Sequence, residues 1–184
     1  QWIARAVKDA DLFYGGAEYM LDDFMAAYPG MIDVPTLTNL HARIVGVIVR
    51  KNNPLNIKHL ADLARPDVKI INVELEKMEE LQNRHKGIRD HISISVLTGE
   101  EGAQQWLSEA SPDAWITYES WHVQLKDQSD FVKLPDDETI CRWTPIALAL
   151  RSQQKKEAAD FINYIKSETG REIFFRRGWT APEK

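Results

Sequence analysis

Apolar positions along this chain recur with two periods, and their alternation sets out the elements. Between residues 17 and 28, Tyr19, Met20, Phe24 and Ala27 fall three and four apart, which predicts a helix stopped by Pro29-Gly30. Trp2, Ile3, Ala6 and Val7 have the same spacing and predict the tail of a helix over residues 2–8. Asp11-Leu12-Phe13-Tyr14 between them reads as a short strand that stops at Gly15-Gly16. Residues 42–49 are almost wholly apolar and β-branched, the pattern of a strand covered on both faces. A short helix is predicted over residues 57–63 and a strand over 68–71. An acidic helix with Leu75, Met78 and Leu81 on its buried side follows.

Ile92, Ile94 and Val96 alternate with His91, Ser93 and Ser95, as in a half-buried strand. Thr98 with Glu101 three residues on is a capping box, opening a helix that buries Ala103, Trp106 and Leu107. Ala114-Trp115-Ile116 reads as a central strand and residues 120–125 as a helical turn. Further strands are expected at 131–134 and 146–150. Ala158, Phe161, Ile162 and Ile165 mark an amphipathic helix, and Ile173, Phe174 and Phe175 a last one ended by Gly178. Strands alternate with helices nearly throughout, so the expected class is α/β with mostly parallel sheets flanked by helices. Ligands of such sheets sit beyond the carboxyl ends of the strands.

Composition narrows the functional classes. The net charge of -5, with no basic stripe, argues against a nucleic-acid surface. It leaves room for a local positive pocket, because a cleft's field depends on where charges stand. The single cysteine, Cys141, allows no intrachain disulfide. No apolar run reaches the ~20 residues of a membrane span. His41, His59, His85, His91 and His122 lack metal-ligand spacing, and no cofactor is expected. Adjacent acids, Glu100-Glu101 and Asp136-Asp137, point apart and read as solvated charge rather than an acid/base pair. The chain opens at Gln1-Trp2 without Met, as a processed or trimmed product would.

One resemblance covers nearly the whole chain. Arg43-Ile44-Val45-Gly46-Val47-Ile48-Val49, then Asn53-Pro54-Leu55 and Leu60-Ala61-Asp62-Leu63, resembles type II periplasmic solute-binding proteins. Asp113-Ala114-Trp115-Ile116-Thr117 looks like their return strand. Phe161-Ile162 through Ile173-Phe174 and Gly178-Trp179 is similar to their closing helices. Asp9-Ala10-Asp11-Leu12-Phe13 with Gly15-Gly16-Ala17-Glu18 looks like the accessory colonisation factor C branch, relatives of the molybdate and sulfate binders. The resemblance implies two lobes, residues 1–50 with 145–184 and residues 51–144, closing on a small anion. It also implies a first βα unit that is missing here. A Gly/Ser/Thr-rich segment is expected after residues 68–71, where Asn72-Val73 runs straight into Glu74-Leu75. Both parts are read as omitted from the chain rather than truly deleted, since a sheet without its first strand would expose a buried edge.

The site residues follow from the same resemblance. Gly15, Gly16 and Ala17 form a strand-to-helix turn where the backbone can approach an anion and the helix N-terminus favours negative charge. Glu18 beside them would repel it. Arg43, opening the apolar strand, needs a carboxylate or the ligand as partner, and Arg142 is the second candidate for ligand charge. Thr117 and Tyr118 end the central strand, and Thr144 precedes the return strand. The implied protein is no enzyme. It is a solute-binding protein of the bacterial envelope, periplasmic or secreted, that captures an oxyanion or a phosphorylated or carboxylated metabolite. Its expected partners are that ligand, an ABC-type membrane transporter or a host-facing surface, and a second copy in a homodimer. The rival readings are an enzyme on the same scaffold and the effector-sensing domain of a transcription regulator.

Overall fold

The computed structural model describes residues 7–108 and 112–181. The predicted helix over 2–8 lies mostly outside these residues, of which 7–9 are helical. The chain divides into two compact units, Gln1–Arg43 with Arg142–Lys184, and Ile44–Cys141. One strand, β2 (Thr38–Arg50), passes through both.

In the first unit β7 (Cys141–Leu148) lies between β1 (Leu12–Tyr14) and the first half of β2. β1 and β7 run antiparallel, with Phe13 opposite Ala147 and Tyr14 opposite Ile146. The two faces of β7 serve two apolar clusters, as the period of two requires. Ile146 and Leu148 meet Leu40 and the Ala158, Ile162 and Ile165 stripe of α5 (Lys155–Lys166). Ala147 meets Phe13, Ile32 and Leu21, the last from α1 (Glu18–Ala27). Phe161 was expected in the α5 stripe but is 49% exposed, at the stripe's edge. Of the three apolar residues ending α6 (Glu168–Phe175) only Phe174 packs against the cluster, because three consecutive helical residues cannot face one side; Ile173 and Phe175 are exposed.

The second unit orders its strands β2, β5 (Ala114–Tyr118), β3 (Ile70–Val73) and β4 (Ile92–Val96), with β6 (Ser129–Val132) on the other side of β2. β5 is buried along its whole length. Ala114, Ile116 and Tyr118 join the larger core with Val45, Val47 and Leu63, while Trp115 joins Ile48, Ile71 and Trp106 on the opposite face. The sheet is mixed rather than mostly parallel. β3 pairs parallel with β4 and β5, but β2 pairs antiparallel with β5 and β6 and β1 with β7. Strand-helix alternation predicts parallel neighbours only where a helix returns the chain, and no α-helix stands between β2 and β3 or between β6 and β7.

Local departures have local causes. The helix expected at 57–63 is a 3-10 turn, Leu60–Ala64, closed by Asp62, whose carboxylate accepts from the backbone N–H of Lys58 and His59 at 2.8 and 3.0 Å. The acidic helix is broken: Lys77 adopts φ 52° between the 3-10 turn Glu74–Glu76 and α2 (Glu79–Gln82), so Met78 and Leu81 are buried and Leu75 is exposed. Val73 leads directly into that turn. α3 (Gly99–Trp106) opens on the predicted capping box, Thr98 accepting from the Glu101 N–H and the Glu101 carboxylate accepting from the Thr98 N–H. Leu107, expected in its core, is exposed. The turn expected at 120–125 is α4 (Glu119–Gln124). Among the described residues no helix is long and apolar enough to cross a membrane.

Candidate functional site

Six of the eight candidate residues fall in the first unit and two in the second. In the first unit β1 ends at Tyr14 and the chain turns through Gly15-Gly16-Ala17 into α1. The Gly15 N–H donates to the Pro145 carbonyl at 2.8 Å. A Cβ on Gly15 would stand 2.9 Å from the Ala17 carbonyl and 3.1 Å from the Pro145 ring, so the close pairing of this turn with β7 requires glycine. Ala17 is fully buried, and as N-cap of α1 it offers no side-chain oxygen to the helix's first N–H groups. Such groups are natural anion donors.

Two guanidinium groups attend this first turn. Arg43, in β2, donates to the Gly16 carbonyl and lies over the Trp179 ring at 5.8 Å. Arg142, at the start of β7, lies over the Tyr19 ring at 5.6 Å. Its Nε is buried and has no hydrogen-bond partner among the described residues. Glu18, the acid at this turn, is held in place: its carboxylate accepts the Trp143 N–H at 2.9 Å. That bond ties α1 to β7 and places Arg142 beside the helix.

Thr144 is buried and engaged with β2: its hydroxyl donates to the His41 carbonyl at 2.7 Å and accepts the His41 N–H at 3.3 Å. Tyr14 and Trp179, absent from the sequence-derived set, stand with these groups. Burial pushes the Tyr14 phenol above its ordinary value, against the pull of Thr144, Arg43 and Trp179. The phenol therefore keeps its proton, a donor, at neutral pH. Tyr14 was visible at a strand end before a glycine turn, which is a weak signal. Trp179 had no local signal, since a bridge between Ala42 and Thr180 brings it to β2 from the far end of the sequence.

In the second unit Thr117 and Tyr118 are buried at the end of β5. The Thr117 hydroxyl donates to the Glu76 carboxylate at 2.7 Å, and the Trp121 indole N–H donates to its other oxygen at 2.7 Å. Neither Glu76 nor Trp121 was singled out from the sequence. No group of three or more His, Cys, Asp or Glu among the described residues is placed to hold a metal ion.

The model of the family described as bacterial extracellular solute-binding protein matches residues 2–180. A molybdate-binding protein of Mycobacterium bovis is 21% identical over 159 residues, 79% of this chain and 57% of that protein. The chain thus spans little more than half the length of the curated relatives it matches. Among solved structures, Peb3 from Campylobacter jejuni aligns at 25% identity over 97% of this chain and 82% of that one, TM-score 0.77. A second Peb3 structure, with L-phospholactate bound, gives 24% identity, the same 97% of this chain, 83% of that one and TM-score 0.79. The periplasmic molybdate-binding protein of Azotobacter vinelandii gives 15% identity, 98% and 83% coverage and TM-score 0.71. The fold is that of the periplasmic binding proteins.

Proposed function

The chain belongs to the bacterial extracellular solute-binding protein family, and we propose that it captures a small anion at the first turn of α1. The ligand is an oxyanion or a phosphorylated or carboxylated metabolite. The observation that carries this is the buried Arg142 Nε–H, without a hydrogen-bond partner among the described residues, beside a helix N-terminus that no side chain caps. A buried cationic donor left unmatched is costly, and an anion satisfies it with a charge-assisted bond. Arg43, fixed on the Gly16 carbonyl, adds a second positive charge at the same turn. Molybdate, sulfate and phospholactate, named for several related proteins and structures, are anions, although a ferric-binding protein of Bordetella shares the fold.

The role is binding and delivery rather than catalysis, outside the cytoplasm, with a membrane transporter as the receiving partner. Isothermal calorimetry of the full-length gene product against sulfate, molybdate, phosphoglycerate and citrate tests it. At least one should bind, and Arg43→Ala or Arg142→Ala should weaken that binding about tenfold or more, with an unchanged circular dichroism spectrum. Flat responses to all four overturn the reading.

A further inference from the structure

In the second unit the carboxyl ends of three mutually parallel strands come together: Val73 of β3, Val96 of β4 and Tyr118 of β5. Open α/β sheets receive their ligands at such ends. Here the place is filled from within. The turn Glu74–Glu76 follows β3 directly and is tied to the end of β4 by the Leu75 N–H donating to the Leu97 carbonyl at 3.1 Å. That carries Glu76 inward, where the residue is 7% exposed. One carboxylate oxygen takes the Thr117 hydroxyl and the other the Trp121 indole N–H, both at 2.7 Å. Two separate donors on the two oxygens of one buried carboxylate is the arrangement of an oxyanion cradle.

The surroundings are shaped to the same end. The Trp121 ring rests on the backbone at the start of α3, where a Cβ on Gly99 would stand only 2.1 Å from its Cζ2 atom. It also packs against Trp115, the rings tilted by 30° at 5.7 Å between centroids. So the indole donor cannot swing away to another partner, and Thr117, fully buried in β5, is equally fixed.

We propose that Glu76 is a built-in ligand, its carboxylate occupying a cradle formed by the Thr117 hydroxyl and the Trp121 indole that would otherwise take a free carboxylate. In the native chain Glu76 bars external anions from these strand ends, and so acts as a specificity determinant of the second unit. Thr117, picked as a ligand contact, serves the protein's own carboxylate instead.

Replacing Glu76 by Ala removes the four heavy atoms of an acetate ion and leaves the donors in place. Glu76→Ala should melt below wild type, and sodium acetate should restore it saturably. We expect a gain of about 3 °C beyond that given by sodium chloride at equal ionic strength. Wild type and Glu76→Gln should lack this gain, since both keep the cradle filled. Acetate bound at Arg43 and Arg142 would act on all three chains alike and cancels from the comparison, so failure of the anion reading for the first unit is separable from failure here. Equal effects of acetate and chloride on Glu76→Ala, or the same acetate response in Glu76→Gln, would overturn the proposal. Should Glu76→Ala be unfolded in chloride, recovery of the native circular dichroism signal in acetate alone supports the cradle, and no recovery refutes it.

Discussion

Glu18 and Arg142 stand near one another in the first unit, and their charges mean different things because their partners differ. The Glu18 carboxylate is anchored by the Trp143 N–H, whereas the Arg142 Nε is buried without a hydrogen-bond partner among the described residues. Lysine at 142 would keep the charge but lose the planar fork that rests over Tyr19. We expect Arg142→Lys to weaken anion binding about tenfold in calorimetry while leaving the melting temperature near wild type. His41 is a second case. It is fully buried against Phe174 at 4.2 Å, and neither ring nitrogen has a hydrogen-bond partner among the described residues. Burial first, then the Arg171 charge, holds the imidazole below its ordinary 6.5. The unfolded chain takes up that proton near 6.5 while the folded one does not, so His41 favours folding fully above that pH and progressively less below it. Urea melts at pH 7 and pH 5 should show the loss, and His41→Leu should reduce it. A remainder should persist, because burial shifts His122 the same way, with Lys51 adding and Glu119 and Asp130 opposing. None of this was readable locally: nothing beside His41 in the sequence signals its burial, because its aromatic neighbours Phe174 and Phe175 lie more than a hundred positions away.

Elements were legible where one rule governed them. The α3 capping box was predicted from Thr98 and Glu101 and is present in both directions. Thr98→Ala should cost about 1 kcal/mol in chemical denaturation, with most of the fold retained. β4 shows the alternation its sequence displayed, with Ile92, Ile94 and Val96 packed and Ser93 and Ser95 exposed. The prediction failed where apolar content and pairing diverge. β2 begins at Thr38, four residues before its apolar run, because Ala42 pairs with Thr180 and His41 with Thr144 regardless of polarity. β3 and β6 are each displaced by two residues from the expected spans, since their partners set where pairing starts. Lys77 broke a helix whose periodicity looked continuous, because a single φ of 52° redirects the chain.

At the scale of the whole molecule, a bound anion stabilises any state that binds it. At a hundredfold excess over the dissociation constant the gain is about 2.7 kcal/mol. For a chain of 184 residues that is a rise of roughly 5–10 °C in melting temperature. Differential scanning fluorimetry with the calorimetric ligand should show this rise, and dialysis should reverse it. The pattern of apolar residues by itself determined the α/β class, most of the elements and the glycine turn that opens α1, because these depend on neighbours within a few positions. Its motifs, taken in order, also pointed to the solute-binding family. Only the tertiary structure decided which donors remain available. Whether Arg142 or Thr117 can meet a ligand depends on Tyr19 and Glu76, groups that chain folding, not sequence spacing, brings within reach.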